Sequence, residues 1–174
     1  MLCACDAGIT SDEIATPPTA DAAPELGPKD SIDLQAGGLA VPAQDGDEVL
    51  EVPFGSMRAA AEATLADVLG EVVSRTENAE CGAGPLQLTQ YNGLTLNFQD
   101  GRLVGWFARD PYLPTALRDE LLAGDGIVMV PESTLGEEFE IGDPPGAAIS
   151  GVFASEDSDA KVTGLWAGTN CLFR

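Results

Sequence analysis

Leu86-Gln87-Leu88-Thr89-Gln90, the pair Asn92-Gly93, Leu94-Thr95-Leu96-Asn97-Phe98, the pair Asp100-Gly101 and the run from Arg102 to Ala108 read as three strands joined by two tight turns. Apolar and polar residues alternate through the first two segments, the period that sends every second side chain to the same face of a strand. Asn-Gly and Asp-Gly suit type I′ hairpin turns because both central residues there take positive φ. The stretch predicts an antiparallel meander with one apolar face.

Upstream, Met57, Ala60, Ala61, Leu65, Val68 and Leu69 follow the spacing of one helical face. They predict a helix over Met57 to Leu69, with Ser56 as N-cap and Gly70 as C-cap. Ser31–Gln35, Val49–Val52 and Val72–Ser74 read as short strands, and Asn78–Pro85 as a loop. Downstream, a second helix is predicted from Pro114 through Leu117, Leu121 and Leu122 to Gly124. Gly126–Val130, Leu135–Ile141, Ile149–Phe153 and Lys161–Ala167 read as further strands.

The chain matches itself at a constant offset. Asp100-Gly101-Arg102-Leu103-Val104-Gly105-Trp106-Phe107-Ala108 aligns with Asp159-Ala160-Lys161-Val162-Thr163-Gly164-Leu165-Trp166-Ala167 in acid, base, aliphatic, glycine and alanine positions. Each stretch ends an apparent helix-and-strands series. The fold class expected is therefore α+β: a duplicated helix plus antiparallel strand meander, with the helices packed on an antiparallel sheet. Residues 31–174 would form one domain with repeats at about 54–108 and 113–167. The alternative is two unrelated hairpins with similar turns. This element order, over about residues 54–173, resembles the β-lactamase-inhibitor-protein and SmpA/OmlA group of small exported bacterial proteins. The resemblance implies a sheet surface presented to a protein partner. That group enters its helices through Gly-Met-Thr, where this chain has Phe54-Gly55-Ser56-Met57 and Leu113-Pro114-Thr115, so no binding residue is carried over.

Leu2-Cys3-Ala4-Cys5 resembles the lipobox of bacterial lipoproteins, which implies lipidation of Cys5 and an envelope location on the periplasmic side. Four residues precede Cys5, fewer than a signal peptide's apolar run, so this reading takes residues 1–5 as the remnant of a longer segment. The alternative is an ordinary cytoplasmic N-terminus. Residues 6–30 are rich in Ala, Asp, Thr and Pro and contain no aromatic residue. They read as a disordered acidic tether. Cys81 and Cys171 remain for the folded part, and in an exported domain such a pair predicts a disulfide. The alternative is two free thiols in a reducing compartment.

Eight Lys and Arg against 29 Asp and Glu leave a net charge of -21, which repels nucleic acid and anionic bilayers. Membrane association would then come only through a lipid anchor. The chain has no histidine, which removes Ser-His-Asp and Cys-His catalysis and imidazole metal sites. There is no Walker loop or dinucleotide fingerprint. Ser158-Asp159-Ala160-Lys161 has the Ser-x-x-Lys form, but in an expected hairpin loop rather than at a helix start. The acidic runs Asp45-Gly46-Asp47-Glu48 and Glu156-Asp157-Ser158-Asp159 do not continue as calcium loops. No catalytic, metal or cofactor residue is therefore expected. Trp106 and Phe107 are neighbours on a strand and must point to opposite faces. With Trp166 they are the candidate partner-binding residues, core packing being the alternative. The function expected is a non-catalytic binding or structural module of the cell envelope with an unknown protein partner. The alternatives are a small carboxylate-dependent hydrolase and a soluble cytosolic protein.

Overall fold

The computed structural model describes residues 32–43, 48–142 and 147–172. Residues 1–31, on which the Cys5 and tether expectations fall, lie outside the described residues. The first elements are β1 (Asp33–Gln35), β2 (Gly38–Pro42) and β3 (Val49–Pro53), which form a small antiparallel sheet. After it come α1 (Arg58–Leu69), β4 (Ser74–Asn78), β5 (Leu86–Gln90), β6 (Leu94–Gln99) and β7 (Arg102–Ala108). The chain then runs through α2 (Arg118–Leu122), β8 (Ile127–Met129), β9 (Glu138–Ile141), β10 (Ile149–Phe153) and β11 (Val162–Gly168).

The predicted meander is present as β5–β6–β7, with Gly93 at φ +80 and the Asp100-Gly101 pair at φ +51 and +73. It belongs to an eight-stranded antiparallel sheet of order β4-β5-β6-β7-β11-β10-β9-β8. After β7 the chain crosses to the far edge and meanders back, so β11 closes against β7. The two self-similar stretches end on these joining strands. Phe107 lies opposite Trp166, the residue that holds the same place in the other stretch. On either side Ala108 faces Leu165 and Trp106 faces Ala167, so the pairing is symmetric about that central pair.

The α+β expectation is overturned. Strand accounts for 42% of the described residues and helix for 13%, so the molecule is mainly antiparallel β-sheet. Among the described residues the expected pair of equivalent helices is absent. α1 forms almost where its periodicity places it, although Met57 rather than Ser56 is the N-cap. Ser56 instead turns its hydroxyl back onto the Pro53 carbonyl at 2.6 Å. α2 shrinks to five residues. Residues 114–117 stay non-helical, and Leu117 is extended. The Arg118 N–H is claimed by the Ala160 carbonyl and the Asp119 N–H by the Ser158 carbonyl. One turn cannot cover half a sheet, and a helix this short has little stability of its own.

The cover comes instead from α1 and the three-stranded sheet. Leu94, Leu96, Phe98, Leu103, Trp106, Phe139 and Leu165 are fully buried on the inner face of the large sheet. Ala61 and Leu65 of α1, and Leu34, Leu39, Val41 and Val52 of the small sheet, complete one continuous core with them. The Trp106 indole N–H donates to the Gln35 carbonyl at 2.9 Å and ties the two sheets together. No helix among the described residues is long and apolar enough to cross a membrane.

Candidate protein-binding face

The strand pairings place one row of side chains across all eight strands on the side away from α1. It runs Ser74, Gln90, Thr95, Phe107, Trp166, Ser150, Glu140, Val128, each directly opposite the next. Phe107 and Trp166 sit at its middle, with ring centroids 6.1 Å apart and planes 10° apart. Phe107 is half-buried, whereas Trp166 is 5% exposed and offers a partner little surface. Gly164 makes room for the Phe107 ring: a Cβ there would sit 3.0 Å from its Cζ. The pleat sends Trp106 to the core, where it is fully buried, so it offers no surface to a partner.

The Arg109 guanidinium lies over the Phe107 ring, 5.3 Å from its centroid. Arg109 is exposed, and sequence reasoning missed it because it follows the last strand residue. Around it are two adjoining hollows of about 320 and 220 Å³ that share Gln90, Thr95, Phe107 and Arg109. Thr95 and Asn97 were readable as the polar alternates of β6; their role as a floor was not. The Gln90 side-chain Oε1 accepts from the Ser74 hydroxyl at 2.5 Å, which directs the Gln90 NH₂ elsewhere.

The C-terminal tail walls the smaller hollow. After β11 the chain passes over Gly105, where a Cβ would lie 2.3 Å from the Thr169 oxygen. Only a glycine permits that crossing. The Asn97 amide donates to the Thr169 carbonyl at 3.0 Å and to Asn170 Oδ1 at 2.7 Å. This brings Cys171 to Cys81, which is buried in the loop between β4 and β5. Both are free thiols, close enough for one to act on the other's titration. The Cys81 thiol and burial together push the Cys171 thiol above its ordinary value.

Ser158 lies in the β10–β11 turn, not at a helix start. The acidic run beside it is tied up locally, with the Ser155 hydroxyl donating to Asp157 at 2.9 Å. The other acidic run falls largely outside the described residues. Among the described residues no cluster of three or more His, Cys, Asp or Glu could hold a metal ion. The most perturbed acid, Glu62, lies on the helix side. Burial raises its pKa, but hydrogen bonds from Arg75, Thr89 and Arg58, and the charge of Arg58, outweigh this and lower it to about 2. Burial, and after it the charge of the same carboxylate, raises the pKa of Tyr91. No protein-family model, curated protein or solved structure matches this chain.

Proposed function

We propose that this protein is a non-catalytic binding module of the bacterial cell envelope, held to the membrane through a lipid on Cys5, that presents the helix-free face of its large sheet to a protein partner. One observation carries the binding reading: the row across the eight strands, with a stacked aromatic pair at its centre and hollows beside it. Solvent-side positions on a sheet are ordinarily filled by charged and small polar groups. An aromatic ring at the middle of that face is the kind of anchor that protein interfaces use. The approach of Cys81 to Cys171 supports the envelope reading. In an oxidising compartment such a pair loses two electrons and two protons to a disulfide oxidant and becomes a cystine.

Two measurements test this. The protein is isolated from its native host with thiols alkylated at lysis and examined by mass spectrometry. Cys81 and Cys171 are expected unalkylated and linked, and Cys5 acylated. Full alkylation of both core thiols overturns the envelope reading. Separately, a photo-crosslinking residue is placed at Thr95 or, as control, at Asp67 on α1. Discrete adducts from position 95 and none from position 67 are expected. The reverse pattern, or none at all, overturns the choice of face.

A further inference from the structure

Arg109 is an anomaly of charge. In a chain with 29 acids and 8 bases, every arginine has abundant carboxylates to choose from. Arg58 and Arg75 both pair with Glu62, and Arg118 pairs with Glu137. Arg102 donates to the Gly55 carbonyl at 2.9 Å. Among the described residues, Arg109 has only the face of Phe107. Its guanidinium therefore keeps its hydrogen-bond donors, five in a rigid fork, for something else. Arg109 lines both hollows, as do Thr95 and Gln90.

We infer that Arg109 is the anchor for a carboxylate on the partner: an Asp or Glu side chain, on a segment whose neighbouring apolar or aromatic residue packs on Phe107. The inference rests on the proposed binding face and names the chemistry that the face selects. Three features favour it. The planar guanidinium matches a carboxylate with two parallel N–H···O bonds. The Phe107 ring holds the guanidinium plane in place, so less freedom is lost on binding. The carboxylates spread over the rest of the molecule oppose an acidic partner in most other registers, which makes the site selective and not merely attractive.

The test uses peptide display on the immobilised full chain. A random twelve-residue library is selected on the wild-type protein, and the enriched peptides are resynthesised. The expected consensus carries an Asp or Glu within two residues of an aromatic or large aliphatic side chain. Replacing that acid by Asn or Gln, or replacing Arg109→Met in the protein, should each weaken binding about tenfold or more, and the two together no further. Arg109→Lys should recover part of the loss, and Arg109→Met should leave the thermal transition unchanged. A consensus that lacks an acid but still needs Phe107 overturns the inference and leaves the binding face standing. So does an acidic consensus indifferent to Arg109→Met. Enrichment of no peptide, or binding of an acidic polysaccharide such as polygalacturonate in its place, overturns the inference; indifference of every ligand to Phe107→Ala removes the binding face as well.

Discussion

Glu62 shows how firmly a structural charge on this chain is held. Its carboxylate takes the Arg58 Nε–H at 2.9 Å, an Arg75 N–H at 2.8 Å and the Thr89 hydroxyl at 2.7 Å. Thr89 is fully buried, and its hydroxyl donates to Glu62 while accepting from Arg58 at 2.8 Å. Glu62→Gln should therefore lower stability by about 1–3 kcal/mol at pH 7, the cost typical of a charged hydrogen-bonding group. Because the folded-state pKa is lowered from 4.5 to about 2, this stabilisation is complete above pH 4.5 and fades as pH falls towards 2. Urea unfolding of both proteins across that range should show the gap closing. Gly105 is the other residue whose identity is dictated locally. Gly105→Ala should cost about 1–3 kcal/mol by overpacking, because the new methyl displaces the Thr169 backbone. It should also speed alkylation of reduced Cys171, a readout that simple core damage on the inner face would not share.

At the scale of elements, the two helices carry unequal weight. α1 buries Ala61, Leu65 and Leu69 against the sheet. Leu65→Ala should cost about 2–5 kcal/mol, and the exposed substitution Ala63→Gly about 1 kcal/mol by helix propensity alone. In α2, an exposed change such as Asp119→Gly should shift the urea midpoint far less, since only five residues are helical and their backbone is braced by the β10–β11 turn. The first helix was legible because Ala61, Leu65, Val68 and Leu69 keep the spacing of one face, although Met57 and Ala60, read onto the same face, are exposed. The second was misread because Leu117, Leu121 and Leu122 keep a helical spacing whether or not the backbone before them winds. The claim of the Ala160 and Ser158 carbonyls on the Arg118 and Asp119 N–H groups is a contact across some 40 residues, and no local pattern contains it.

For the whole molecule, a net charge of -21 means repulsion that folding concentrates. Salt screens it, so the thermal midpoint should rise between about 0.05 and 1 M NaCl. A fall on adding salt would show that ion pairs such as Arg75–Glu62 outweigh the repulsion. Linking Cys81 to Cys171 would close a loop of about 90 residues, worth about 4–5 kcal/mol in the chain-entropy model. Comparing urea unfolding of the oxidised protein with that of Cys81→Ser should recover a few kcal/mol, with the groove wall formed by Asn170 and Cys171 loosening in the variant.

Alternation and turn chemistry are local properties, so the sequence by itself determined the β5–β6–β7 meander, the position of α1 and the opposite orientations of Trp106 and Phe107. It also brought the repeat at Phe107 and Trp166 into view. Only the tertiary structure decided that β11 pairs with β7 so that those two rings meet, that a small second sheet rather than a second helix covers the core, and that the tail crosses at Gly105 to bring Cys171 to Cys81. It also decided that Arg109 stands over Phe107 with no acid paired to it among the described residues. Each of these depends on which distant backbone groups find one another, and that is settled by shape and burial across the chain rather than by the residues on either side.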